Sequence, residues 1–141
     1  MICFFDTNIL VYLVDCSDPV RQELAIDCFA RAVRDDTVAV STQVLQEFYN
    51  ITTRKLRPPL SPVEAAQQVA RLCGFEVIGA SAQSVLAATE LAQQHQLSWW
   101  DALILEAALR ANAEVLYSEV GQHGRRFGAL TVVNPFVSSP S

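Results

Sequence analysis

The sequence predicts a single α/β domain: a mostly parallel five-stranded sheet with helices on both faces. Three observations predict it. Short apolar runs of strand length alternate with longer segments of helical periodicity. The runs are apolar on both faces, as in strands covered from two sides. The length of 141 residues fits one core, and chains of that size bury roughly two-thirds of their unfolded surface.

The first run, Ile2-Cys3-Phe4-Phe5, has strand length and no polar face. A short helix follows, from about Asn8 to Val14. Asp18-Pro19 supplies an N-cap and a proline at the first helical position. That helix reaches about Arg34, with Leu24, Ala25, Cys28, Phe29 and Ala32 on its apolar side. Thr37 to Val40 is the second strand. Ser41/Thr42 cap a helix that carries Val44, Leu45, Phe48 and Ile51 on one face and ends before Pro58-Pro59.

Ser61-Pro62-Val63-Glu64 is a capping box with proline at the first position, and Gly74 closes that helix. Phe75 to Ile78 is the third strand. Helices run from Ser81 to about His95 and from Trp99 to Ala111. Val115-Leu116-Tyr117 is the fourth strand and Leu130 to Val133 the fifth, ended by Asn134-Pro135. The domain spans residues 1–137, and Ser138 to Ser141 read as a short tail.

Ten Lys and Arg against fifteen Asp and Glu give a net charge of −5. That argues against holding nucleic acid by bulk charge, but not against a nucleic-acid enzyme whose acids bind metal. The four cysteines form no C-x-x-C pair and stand apart from the two histidines, His95 and His123, so a zinc site is not expected. They read as buried thiols of a reducing cytosol. The N-terminus lacks a basic region, and no stretch approaches eighteen apolar residues, so neither a signal peptide nor a membrane span is expected. No Gly-rich phosphate loop or nucleophile elbow is present.

Ligands of doubly wound sheets collect beyond the carboxyl ends of the strands. Asp6 follows the first strand, where it could equally be a helix N-cap. Asp101 lies within about 40° of Leu105 and Ala108 on a helical wheel, on the apolar side of its own helix. A carboxylate there is costly unless paired or metal-bound. Ser98-x-x-Asp101 also fits a capping box, which would explain it without chemistry. Glu47 occupies the boundary of its helix, where it could reach a cleft or be solvated. Carboxylates that converge remain ionised together only around a cation. Oxygen ligands without His or Cys select a hard ion, Mg²⁺ or Mn²⁺. Such a site suits phosphodiester hydrolysis.

Five pieces in order match a known pattern: Phe5-Asp6-Thr7-Asn8-Ile9-Leu10, Gln46-Glu47-Phe48-Tyr49-Asn50, Leu97-Ser98-Trp99-Trp100-Asp101-Ala102-Leu103-Ile104, Leu116-Tyr117-Ser118-Glu119, and Leu130 through Phe136. Across essentially the whole chain the sequence resembles a PIN domain of the VapC toxin ribonuclease type. The resemblance implies a Mg²⁺- or Mn²⁺-dependent endoribonuclease of the prokaryotic cytoplasm. It also implies homodimers, neutralised by a VapB-like antitoxin. It assigns Asp6, Glu47 and Asp101 to catalysis and metal binding, with Thr7, Asn8, Ser118 and Glu119 in support.

One position departs from the pattern. The family's fourth acid stands two residues after the Ser118 position, where this chain has Val120. Three readings compete: three acids suffice, Glu119 swings in, or activity is weakened or lost and the domain acts by binding RNA or antitoxin. Gly121 reads as a source of pliability in this loop. Arg54, Lys55 and Arg57 form one candidate RNA-binding cluster and Arg125 with Arg126 another, with solvated surface as the alternative for both. Tyr49, Trp99 or Trp100 could stack on bases, although core or dimer packing suits the tryptophans better. A receiver-like phosphoacceptor would need a lysine ending its last strand, whereas the one lysine is Lys55. A PIN nuclease acting on DNA or structured RNA is the remaining rival, set aside because the chain is short.

Overall fold

A computed structural model describes residues 1–137; the expected tail at 138–141 lies outside the described residues. The chain order is β1 (Ile2–Phe5), α1 (Thr7–Tyr12), α2 (Pro19–Asp35), β2 (Thr37–Ser41), α3 (Thr42–Arg54), α4 (Pro62–Leu72), β3 (Glu76–Ile78), α5 (Ala82–His95), α6 (Trp99–Arg110), β4 (Val115–Tyr117), β5 (Arg126–Phe127) and β6 (Leu130–Val133). The sheet order is β3-β2-β1-β4-β6-β5. Every pairing is parallel except β5 with β6.

Local chemistry places the helix starts where the sequence puts them. Asp18 accepts from the Arg21 amide with Pro19 at the first position, Ser41 accepts from Val44, and Ser61 and Glu64 form a reciprocal capping box. At the C-terminus of α4, Gly74 follows the cap residue Cys73 without adopting the left-handed conformation. Its amide instead donates to the Arg71 carbonyl at 3.1 Å, and a Cβ there would stand 3.2 Å from that oxygen.

The sheet has six strands rather than the expected five. β5 is only two residues long, too short for an apolar pattern to register. Its signal was the turn instead. Phe127 pairs with Leu130 across Gly128-Ala129, and Gly128 takes φ +62. Glycine at the first central position of a two-residue hairpin is the expected residue where φ is positive.

The connections β1 to β2 and β2 to β3 step one way across the sheet, and the connection to β4 steps back over β1. Right-handed crossovers therefore put α1 to α4 on one face and α5 with α6 on the other. The contacts agree: α1 packs on α2 and α3, α3 on α4, and α5 on α6. The core between them includes the fully buried Phe4, Phe5, Ile9, Leu10, Phe48 and Leu130. Phe5 meets Phe29 of α2 edge-on at 5.1 Å. The direction of winding reverses between β1 and β4, which opens a crevice beyond their carboxyl ends. Asp6 and Ser118 are the first residues past those ends. Among the described residues no helix is long and apolar enough to cross a membrane.

Candidate active site

Asp6 is held by the sheet itself. Its amide donates to the Tyr117 carbonyl at 2.9 Å, which continues the β1–β4 ladder by one bond. It caps α1, with Oδ1 accepting from the Thr7 amide at 2.7 Å. Oδ2 accepts from Ser118 Oγ at 2.9 Å. Capping and site placement thus coexist at one residue. Burial pushes the carboxyl up to about 6, against the two hydrogen bonds, and the nearby charges of Glu47 and Asp101 push the same way.

Asp101 sits in the first turn of α6. Ser98 Oγ accepts from its amide at 3.2 Å, yet the return bond of a full capping box is not formed. Its carboxylate has no hydrogen-bond partner among the described residues. It faces instead a cavity of about 60 Å³, shared with Asp6, Ser118 and Val120. Ile104, Leu105, Leu116 and Val132 supply the apolar back of that cavity, and Gln122 and Arg125 stand on its rim.

Glu47 stands off this wall. It is half-buried on α3 and accepts from Gln43 Nε2 at 2.8 Å. Its influence on Asp6 is electrostatic. Among the described residues, no three His, Cys, Asp or Glu side chains form a ready metal cage. The donors nonetheless suit a hard cation. Asp6 and Asp101 present oxygens to one cavity, and Thr7 Oγ1 is buried beside Asp6 with no partner among the described residues. A cation would favour the ionised form that burial, and to a lesser degree the charges of Glu47 and Asp101, disfavour at Asp6, and would give an unsatisfied oxygen a bound water to meet. Asn8 is half-buried and makes no side-chain hydrogen bond among the described residues.

The loop after β4 differs from expectation in two ways. Glu119 is engaged elsewhere: Oε1 accepts from Tyr12 OH and Oε2 from Arg21 Nε, both at 2.9 Å. The Arg21 guanidinium also lies 6.0 Å from the Tyr12 ring and 5.7 Å from that of Phe136. Gly121, expected to be pliable, also sits where a side chain has no room. A Cβ there would meet Val132 Cγ1 at 2.9 Å, and the Val120 and Gly121 amides both donate to Ser118 Oγ, at 3.3 and 3.4 Å. The loop is shaped by contact rather than by glycine's freedom.

The two basic clusters separate. Arg125 reaches the cavity rim, its guanidinium 4.7 Å over the Phe127 ring, and Arg126 is exposed on β5. Arg54, Lys55 and Arg57 are exposed past the far end of α3, which at 1.5 Å per residue carries them about 18 Å from its start beside the site. The tryptophans are not core residues. Trp99 is 36% and Trp100 64% exposed, and Tyr49 is 41% exposed. Gln122 was missed by sequence reasoning; only its nearness to the loop after Ser118 pointed to it.

The PIN domain family model matches residues 3–120, from the first strand to the loop beyond Ser118. The chain belongs to the PIN domain family. A search of curated proteins found no match. Solved structures share the PIN fold at low identity. A toxin–antitoxin complex from Klebsiella pneumoniae aligns at TM-score 0.72 and 21% identity, covering 95% of this chain and 98% of that one. VapC20 of Mycobacterium tuberculosis, a toxin that cleaves the sarcin–ricin loop, aligns at 0.65 and 22%, covering 84% and 90%. VapBC2 of Rickettsia felis, bound to a promoter DNA fragment, aligns at 0.66 and 21%, covering 94% and 97%. In this PIN domain, Asp6, Asp101 and Ser118 occupy the crevice where the fold's winding reverses.

Proposed function

We propose that this PIN domain is a Mg²⁺- or Mn²⁺-dependent endoribonuclease, the toxin of a VapBC-like pair. The observation that carries the reading is that Asp6 and Asp101, far apart in sequence, face one cavity with Ser118 hydrogen-bonded to Asp6. The likeness in fold to VapC toxins and VapBC complexes supports a VapB-like antitoxin as partner. A homodimer acting in the cytoplasm follows from the same reading.

Asp6 and Asp101 would hold the ion, with Glu47 adding negative potential from the flank. When bound, a divalent ion supplies the means to activate water and to offset charge on the phosphate and the leaving oxygen. Ser118 orients Asp6 by donating to Oδ2, and the Val120 and Gly121 amides turn its hydroxyl that way. Thr7 Oγ1 offers a hydrogen-bond site to water beside Asp6. Ile104, Leu105 and Leu116 keep bulk water from the back of the cavity. Trp99 and Trp100, exposed next to Asp101, suit stacking with unpaired bases.

A second reading has its own observation. Val120 lies on the cavity wall where a fourth acid would point, and Glu119 is engaged by Tyr12 and Arg21. That favours a weakened nuclease acting by binding RNA or antitoxin. Cleavage of single-stranded RNA in Mn²⁺ by the parent chain, Asp6→Ala and Val120→Asp decides between them. The nuclease reading expects cleavage by the parent and none by Asp6→Ala. Cleavage by Val120→Asp alone would establish the weakened form, and full activity in Asp6→Ala would remove the metal site.

A further inference from the structure

The cavity wall carries unpaired charge of both signs. Its carboxylates are Asp6 and Asp101. Glu47 is off the wall and bonded to Gln43. Both oxygens of Glu119 are taken by Tyr12 and Arg21. At residue 120 the wall is a valine side chain. Two carboxylates balance one divalent ion, and a second ion would find no further acid on this wall.

The opposite charge comes from Arg125. It forms no ion pair among the described residues, and its guanidinium rests on the Phe127 ring at 4.7 Å rather than on an acid. The backbone around it is fixed. Its amide donates to the Gln122 carbonyl at 3.0 Å, and its carbonyl accepts from the Val132 amide at 2.8 Å. Stacking on an aromatic face preorganises the planar guanidinium while leaving its N–H groups open to an oxyanion. A cavity that shows a cation and two anions without pairing them is suited to a ligand bearing both signs, such as a phosphodiester together with its counter-cation.

On the reading proposed above, we infer that this cavity holds one divalent ion rather than two, and that Arg125 gives the RNA phosphate the positive charge a second ion would bring. Val120 and Arg125 are then two sides of one arrangement: where an acid is lost from the wall, a cation of the protein replaces the ion it would have held. The β5–β6 hairpin is what delivers that cation, since Arg125 immediately precedes β5.

The experiment uses the full chain and two probes. Mn²⁺ is titrated into the parent and into Arg125→Gln, with free ion followed by electron paramagnetic resonance. A fluorescein-labelled single-stranded RNA is titrated by anisotropy in EDTA, so that no cleavage intervenes. One ion is expected for each protein. RNA binding by Arg125→Gln should be about ten-fold weaker than that of the parent, the scale of one charge-assisted contact. Its log–log salt slope should be shallower by about 0.7. Arg71→Gln, with the same charge change in the exposed last turn of α4, is the control and should bind much as the parent does. Two ions in the parent, or equal RNA affinity in Arg125→Gln and Arg71→Gln, would overturn the inference while leaving the nuclease reading intact. No ion in the parent would overturn both.

Discussion

Ser118 Oγ donates to Asp6 Oδ2 at 2.9 Å, joining residues 112 apart in sequence across the carboxyl ends of the two central strands. Ser118→Ala removes that donor and leaves the Val120 and Gly121 amides without their acceptor. Loss of a hydrogen bond that orients a metal-binding carboxylate weakens binding by roughly ten- to a hundred-fold. Mn²⁺ titration of Ser118→Ala should show a drop of that order, and an unchanged affinity would mean that Asp6 does not depend on this contact.

The pH dependence of the metal-free protein follows from Asp6. Its carboxyl is raised from 3.8 to about 6 in the folded state, chiefly by burial. The stability that its neutral form contributes is fully present below the ordinary value and lost as pH rises through about 6. Asp6→Asn, which is neutral throughout, should therefore gain in melting temperature relative to the parent between about pH 4 and pH 7.5 in EDTA. A constant difference across that range would mean that Asp6 is not perturbed. With Mn²⁺ present at the higher pH, the parent should recover its loss.

Glu119 ties the β4 loop to the first two helices. Tyr12→Phe removes one hydrogen bond to it and should cost about 1 kcal/mol in urea unfolding. Arg21→Ala removes ion pairs to both Glu119 and Asp18, but the arginine is nearly half exposed, so solvent screening keeps their direct contribution small. In a double-mutant cycle the two should couple through their shared acceptor. Strict additivity would show that the three groups do not act together.

Gly121 leaves no room for a side chain against Val132. Gly121→Ala should destabilise the protein by about 1–3 kcal/mol through overpacking and weaken Mn²⁺ binding, because the displaced loop carries the amides that hold Ser118. Val132→Ala in the same chain should restore binding by making space. If the single variant binds Mn²⁺ as tightly as the parent, this contact does not shape the site.

Much of this was legible in the sequence, because helix starts are decided by short-range chemistry. Asp18, Ser41, Ser61, Ser81 and Ser98 each accept from an amide three residues on. Apolar runs marked every strand except β5, whose two residues are too few to register as a run. The helical wheel also put Asp101 on the inward side of α6, where the cavity lies. The expectations that failed concerned contacts. The four cysteines read as buried thiols, yet Cys16 and Cys73 are exposed. Trp99 and Trp100 are exposed in the first turn of α6, which removes core packing from their reading and leaves packing between copies. Nothing in sequence reveals Val132 beside Gly121.

The sequence by itself determined the α/β class, the helix caps and the residue types able to meet a hard cation. Periodicity and local hydrogen bonding are properties of neighbours in the chain. Tertiary structure alone decided how the candidate acids are used. It put Asp6 and Asp101 on one cavity, set Glu47 to the flank, and gave Glu119 to Tyr12 and Arg21, which lie 107 and 98 residues away. It also brought Arg125 to the same cavity while leaving Arg54, Lys55 and Arg57 at the far end of a helix. Such meetings depend on strand order and on the direction in which the crossovers wind, and no local window of sequence contains either.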